Sequence, residues 1–117
     1  MKTNDELMSD EITVLDEPMF IKTGMIGVKV EPQNKNFFTL EEMQKIVGGM
    51  IQIVYLKNHV DKDGTPLALV CNENGKIMYD ENEMPINKHA TLFWEQSYGA
   101  TDYMVGDVLI TPQRYLN

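Results

Sequence analysis

The chain is 117 residues long and 43% hydrophobic, and carries 18 acidic against 10 basic side chains for a net charge of −8. That length fits one domain and excludes two, while the apolar share is enough for a packed core and excludes wholesale disorder. A pI near 4.6 with Arg114 as the single arginine argues against binding a nucleic-acid backbone, and no apolar run approaches the roughly 20 residues of a membrane span.

The charge is uneven along the chain. Residues 1–18 hold six acids against Lys2, a net −5; the other 99 residues hold 12 acids against nine bases, a net −3. Residues 1–18 therefore read as a flexible acidic arm, with Ile12, Val14 and Leu15 able to make a short edge contact, and 19–117 as a single α+β domain. Met19 to Ile21, a turn at Thr23-Gly24, and Met25 to Val30 read as a short strand, a turn and a longer strand that Pro32 ends.

Thr39-Leu40-Glu41-Glu42 is a capping box, with Phe38 and Met43 spaced as a hydrophobic staple. Leu40, Met43, Ile46 and Val47 follow at helical spacing and Gly48-Gly49 stops the run, which predicts a helix over 40–47. Met50 to Leu56 is apolar on both faces, as in a central strand, and 57–65 reads as a polar loop. Leu67–Asn72 and Lys76–Tyr79 flank Asn74-Gly75, the dipeptide of a type I′ turn, which predicts a hairpin. Asn87 is placed to cap a short helix through about Gln96, with Ala90, Phe93 and Trp94 on one face. Tyr103 to Ile110 reads as the last strand. The order βαβββαβ predicts a curved, mainly antiparallel sheet of about five strands with one longer and one short helix.

Candidate chemistry is sparse. Asp61-Lys62-Asp63-Gly64 opens like a calcium loop, but the twelfth position is Asn72 instead of a bidentate Glu, so a polar hairpin loop is the better reading. His59 lies beside Asp61 and Asp63, yet no second His or Cys is near, as zinc would require. Cys71 is the only cysteine; it sits in an apolar run and reads as a buried thiol in a reducing compartment, which places the protein in the cytoplasm. Neither serine stands in a nucleophile turn, and Gly48-Gly49 is not followed by the residues of a phosphate loop. No catalytic constellation and no cofactor or metal site is expected.

Gly27 to about Thr111 resembles a small domain family of unknown function found in bacteriophages, mobile elements and their bacterial hosts. The residues that carry the likeness are Val28 to Pro32, Leu40 with Met43 to Gly49, Ile51 to Val54, Asn72 to Lys76, Pro85 to Asn87 with Ala90, and Val105 to Leu109. The resemblance implies the same α+β domain and a phage or mobile-element setting, but no activity.

The expected function is a non-enzymatic accessory protein that binds and modulates a host protein, as a defence or regulatory factor. Its expected surface combines the acids Glu73, Asp80, Glu81 and Glu83 with Trp94, Tyr98 and Tyr103, since Trp and Tyr are common interface anchors. One alternative is a protein that sequesters a nucleotide or similar signal molecule in a pocket at Asn87. Another is an acidic DNA mimic, which the −3 of the body weakens. The sequence leaves a homo-oligomer open.

Overall fold

A computed structural model describes residues 13–116. Six strands form one curled, half-barrel sheet: β1 (Thr13–Val14), β2 (Met19–Ile21), β3 (Val28–Lys29), β4 (Ile51–Val60), β5 (Pro66–Asn72) and β6 (Val108–Thr111). Three helices accompany it: α1 (Leu40–Val47), α2 (Gly75–Asp80) and α3 (Lys88–Tyr98), with a 3-10 turn at Gln113–Tyr115. The strand order is β1-β4-β5-β6-β2-β3, with β1 parallel to β4 and every other pair antiparallel.

That order explains the curl. β1 and β2 are neighbours in sequence but stand four positions apart in the sheet, about 19 Å along the strands' stacking direction at roughly 4.8 Å per strand. The link Leu15–Pro18 spans at most about 18 Å between Val14 and Met19. A flat sheet would break it, so the sheet bends and the link crosses the mouth of the half-barrel.

Both faces of the sheet are covered. Leu56, Leu67, Leu69, Val108, Ile110 and Ile21 form the larger core with Ala90 and Phe93 of α3, and Leu15 from the link joins them. On the other face Val70 and Leu109 meet Phe38, Met43 and Val47 of the α1 region. β5 lies between the two layers, which is why Leu67 to Asn72 is buried throughout and reads as an unbroken apolar run.

The α1 cap forms as its residues dictate. Thr39 Oγ1 accepts from the Glu42 N–H at 3.2 Å, Glu42 Oε1 accepts from the Thr39 N–H at 3.1 Å, and Gly48 ends the helix at φ 77°. The Gln33 and Thr39 backbone N–H groups hold the Glu42 carboxyl below its usual range.

Several sequence expectations change. The Asn74-Gly75 hairpin is not formed: Gly75 opens α2, and its φ is not positive. A Cβ at Gly75 would stand 3.2 Å from the Val105 Cβ, so glycine serves close approach there, not turn geometry. The hairpin of the region lies earlier, between β4 and β5. There Gly64 has φ 81°, and Asp61 Oδ1 accepts from the Asp63 and Thr65 N–H groups. β4 runs on to Val60 through a register shift after Leu56, taking in residues assigned to the polar loop. The final strand starts only at Val108, and α3 is the longest helix, reaching Tyr98. The expected α+β architecture with a curved, mainly antiparallel sheet is the one observed; among the described residues it has six strands where about five were expected, and three helices, two of them longer than seven residues.

Of the expected arm, residues 13–18 are built into the fold; residues 1–12 lie outside the described residues. Thr13 and Val14 pair with His59 and Val60, and Arg114 grips Asp16 through its carboxylate at 3.0 Å and its carbonyl at 2.6 Å. The Lys62 backbone N–H also donates to Asp16, and with Arg114 it holds that carboxyl below its usual range despite the opposing effect of burial.

Candidate functional site

An open groove of about 280 Å³ lies between β4, β5, α2, Trp94 of α3 and the 102–105 segment. Its floor is Val54 of β4 and Cys71 of β5; one wall is Trp94 of α3, and the other is made by α2 and the 102–105 segment. Gln52, Glu73, Lys76 and Asp102 supply its polar groups.

Three of the residues expected at a partner surface meet here: Glu73, Trp94 and Tyr103. Tyr98 lies beside them, its ring 4.5 Å from that of Trp94 and its hydroxyl donating to the Tyr55 carbonyl. The Trp94 indole N–H donates to Thr101 Oγ1 at 3.0 Å, which fixes the plane of the ring. Asp80, Glu81 and Glu83 are exposed but stand at the far end of α2, outside the groove lining. The replacement of the expected hairpin by a helix separates them from Glu73.

The groove also contains residues that the sequence did not single out. Lys76 forms an ion pair with Asp102, and its ammonium lies 5.3 Å from the centre of the Tyr103 ring. Burial opposes ionisation of Asp102, but the Lys76 hydrogen bond, the Tyr103 N–H and the Lys76 charge outweigh it and hold the carboxyl below its usual range. The Asp102 hydrogen bond raises Lys76 in turn. Lys76 and Asp102 are 26 residues apart, the first in a segment read as a strand and the second in the turn region after the predicted helix, and no local pattern links them. The Cys71 thiol is pushed up to about 11, chiefly by burial and then by Asp102, so it is a protonated floor residue and a poor nucleophile.

Asn87 caps α3 as its position predicts, and does not take the ligand-lining place that the alternative reading gave it. It is fully buried, its Nδ2 donates to the Ile21 and Gly106 carbonyls at 3.0 and 2.9 Å, and its Oδ1 accepts from the Ala90 N–H at 3.0 Å. Both amide hydrogens and the cap acceptor are engaged, so it has no surface to offer a ligand. Its role is to tie α3 to β2 and to the loop before β6.

The histidines are also placed in the frame. His59, paired with Thr13 across the β1–β4 ladder, is buried with its ring 4.8 Å from that of Phe93 on α3, and among the described residues neither nitrogen has a hydrogen-bond partner. Burial lowers its pKa, partly opposed by the Gln96 side chain and the Phe93 backbone. His89 Nδ1 accepts from the Gly27 N–H at 3.1 Å, fastening the β2–β3 hairpin to α3. Among the described residues no group of three or more His, Cys, Asp or Glu side chains is placed to hold a metal. No described helix is long and apolar enough to cross a membrane.

Residues 21–114 match the domain of unknown function DUF3846. The chain belongs to that family. The DUF3846 match runs from Ile21, the last residue of β2, to Arg114 within the 3-10 turn, and so contains the whole groove; β1, Asp16 and the first two residues of β2 fall before it. No curated protein and no solved structure matches the chain.

Proposed function

We propose that this DUF3846 protein is a non-enzymatic interaction module that binds a partner protein through the groove and modulates it. The observation that carries the reading is the meeting of the Trp94 and Tyr103 rings in an open recess whose rim is charged. Aromatic side chains held in a recess beside polar groups are the usual anchors of protein interfaces, because they bury much area at little entropic cost. The aromatic rings are held in place by the Thr101 hydrogen bond, the tilted contact of Tyr98 with Trp94 and the edge-on contact of Tyr79 with Tyr103 at 5.8 Å. A binding surface so preorganised loses less freedom on association.

The setting we propose is that of a phage or mobile-element accessory factor acting on a host protein in the bacterial cytoplasm, as a defence or regulatory component. Its support is the resemblance carried by Leu40 to Gly49 and Asn72 to Lys76. A groove of about 280 Å³ also favours a second reading, in which the same recess holds a small ligand.

Selection of random peptide segments on the full-length protein tests the first reading. Enriched segments should lose binding on Tyr103→Ala and Trp94→Leu and keep it on Lys45→Gln, which lies on α1 on the opposite face. Segments indifferent to the groove substitutions overturn it. A thermal-shift screen with nucleotides tests the second: a ligand tight enough to be sequestered raises Tm by mass action.

A further inference from the structure

Resting on the groove reading above, we infer that the groove receives a cationic side chain, an arginine or lysine of a basic segment in the partner protein, laid on the Trp94 ring with Glu73 as its counter-charge. The groove already holds one cation in this manner. The Lys76 ammonium is paired with the Asp102 carboxylate and lies over the Tyr103 ring, so one carboxylate and one aromatic face together accommodate one positive charge.

The same groove lining holds a second carboxylate and a second aromatic ring, Glu73 and Trp94. Glu73 is exposed on the rim, and among the described residues no cation forms a salt bridge with it. Trp94 is the ring type that attracts cations most strongly, and among the described residues no cation lies over it, whereas Tyr98, Tyr103 and Tyr115 each have one. Tyr98 lies tilted against Trp94 and the indole N–H is taken by Thr101, so the part of the ring that lines the groove has no free polar atom to offer and can contribute only its aromatic carbon surface.

Charge complementarity selects the occupant. The groove lining carries Glu73 and Asp102 against Lys76, a net −1, and the chain as a whole carries −8. An acidic segment would meet both carboxylates; a basic one is steered in by the long-range field. The exposed part of Ile77 and the edges of Val54 suit the aliphatic stem of Arg or Lys, which covers apolar surface while its head stays at the polar rim.

The test is a titration of the full-length protein with short blocked peptides of alternating glycine and one other residue: arginine, lysine, leucine or glutamate. Trp94 is the only tryptophan, so its emission reports the groove directly. The arginine peptide should change that emission saturably, the lysine peptide less tightly, and the leucine and glutamate peptides not at all. Glu73→Gln should weaken arginine-peptide binding by about fivefold or more, a loss of about 1 kcal/mol, without lowering Tm. Lys76→Gln should leave it as tight or tighter, because Asp102 is then open to the peptide. Raising the salt from about 0.05 to 0.3 M should weaken it further.

Saturation by the leucine or glutamate peptide at equal or lower concentration overturns the inference, as does unchanged binding in Glu73→Gln or weaker binding in Lys76→Gln. Library-selected apolar segments that depend on Tyr103 and Trp94, with the arginine peptide silent, would overturn the cationic occupant and leave the groove reading standing. Selected segments that ignore Tyr103 and Trp94 would overturn the groove reading itself.

Discussion

Asn87 and the groove lie at two places along the same face of the sheet, and their polar groups are treated in opposite ways. At Asn87 every hydrogen-bonding position is spoken for by the fold, within reach of β2, α3 and the turn at Gly106. In the groove Glu73 stays on the rim without an ion-pair partner among the described residues, and the half-buried Trp94 ring lines the recess with no cation over it among the described residues. The contrast separates architecture from function: a polar side chain whose partners are all backbone groups of its own fold holds that fold, and one left over at an open recess is available to something else.

The sharpest way to break this comparison is Asn87→Ala. It removes two donors from buried carbonyls and the cap of α3, and should cost about 3 kcal/mol or more, seen as a fall in the urea midpoint. Asn87→Asp keeps the cap acceptor but loses both amide donors, and should be only partly better. A loss below about 1 kcal/mol in Asn87→Ala would mean that the residue is not the structural hub its contacts describe.

Arg114 extends the saturated region to the mouth of the half-barrel, where it grips Asp16 and stands 3.8 Å from the buried Asp61 carboxylate. Arg114→Leu should cost about 1–2 kcal/mol, mostly by leaving Asp61 without a cation. It should also speed amide exchange at Leu15, whose N–H donates to the Val60 carbonyl, before the rest of the sheet is affected. Unchanged exchange at Leu15 would show that the strand pairing alone holds the link.

His59 contributes a smaller, pH-dependent effect. Its folded pKa is lowered by burial, so its stabilising effect is full above the unfolded value near 6.5 and declines as pH falls from there towards the folded value, by at most about 1.4 kcal/mol per pH unit. Asp16 and Asp102 have lowered folded pKa values; their contribution is present above the ordinary carboxylate range and is lost as pH falls through the folded values. Unfolding free energy should therefore decline in two stretches in the natural protein. In His59→Leu only the lower stretch should remain, and persistence of the upper one would assign it to another group.

The smallest stability effect belongs to the groove. Glu73→Gln touches an exposed side chain and should change the unfolding free energy by no more than about 0.5 kcal/mol. A larger loss would move Glu73 to the structural side of the comparison.

What could be read ahead of the fold was local. Thr39, Glu42 and Gly48 each act on atoms within a few residues, so the α1 cap and stop follow from their spacing, and the Asn87 cap of α3 follows in the same way. The Asn74-Gly75 dipeptide misled because tertiary packing overrode a turn propensity. Asn72 Oδ1 accepts from the Asn74 N–H, and Gly75 lies against Val105, 30 residues away. Trp94, Tyr103 and Glu73 were recognisable by residue type, but their meeting depends on α2 replacing a strand. Lys76 and Asp102 had no local signal, since their pairing exists only once the 102–105 segment packs on α2. The two hydrogen bonds that Asn87 Nδ2 donates to the Ile21 and Gly106 carbonyls were hidden for the same reason.

The most direct test is a chemical-shift map of the full-length protein titrated with a segment selected for binding. The account predicts that the Trp94 indole N–H and the backbone amides of 73–77 and 102–105 move together and saturate together, while Ala90 and Gly106 around Asn87 stay still. Shifts centred instead on the exposed Met25, Ile26 and Val28 of the β2–β3 hairpin, with Trp94 unmoved, would contradict it.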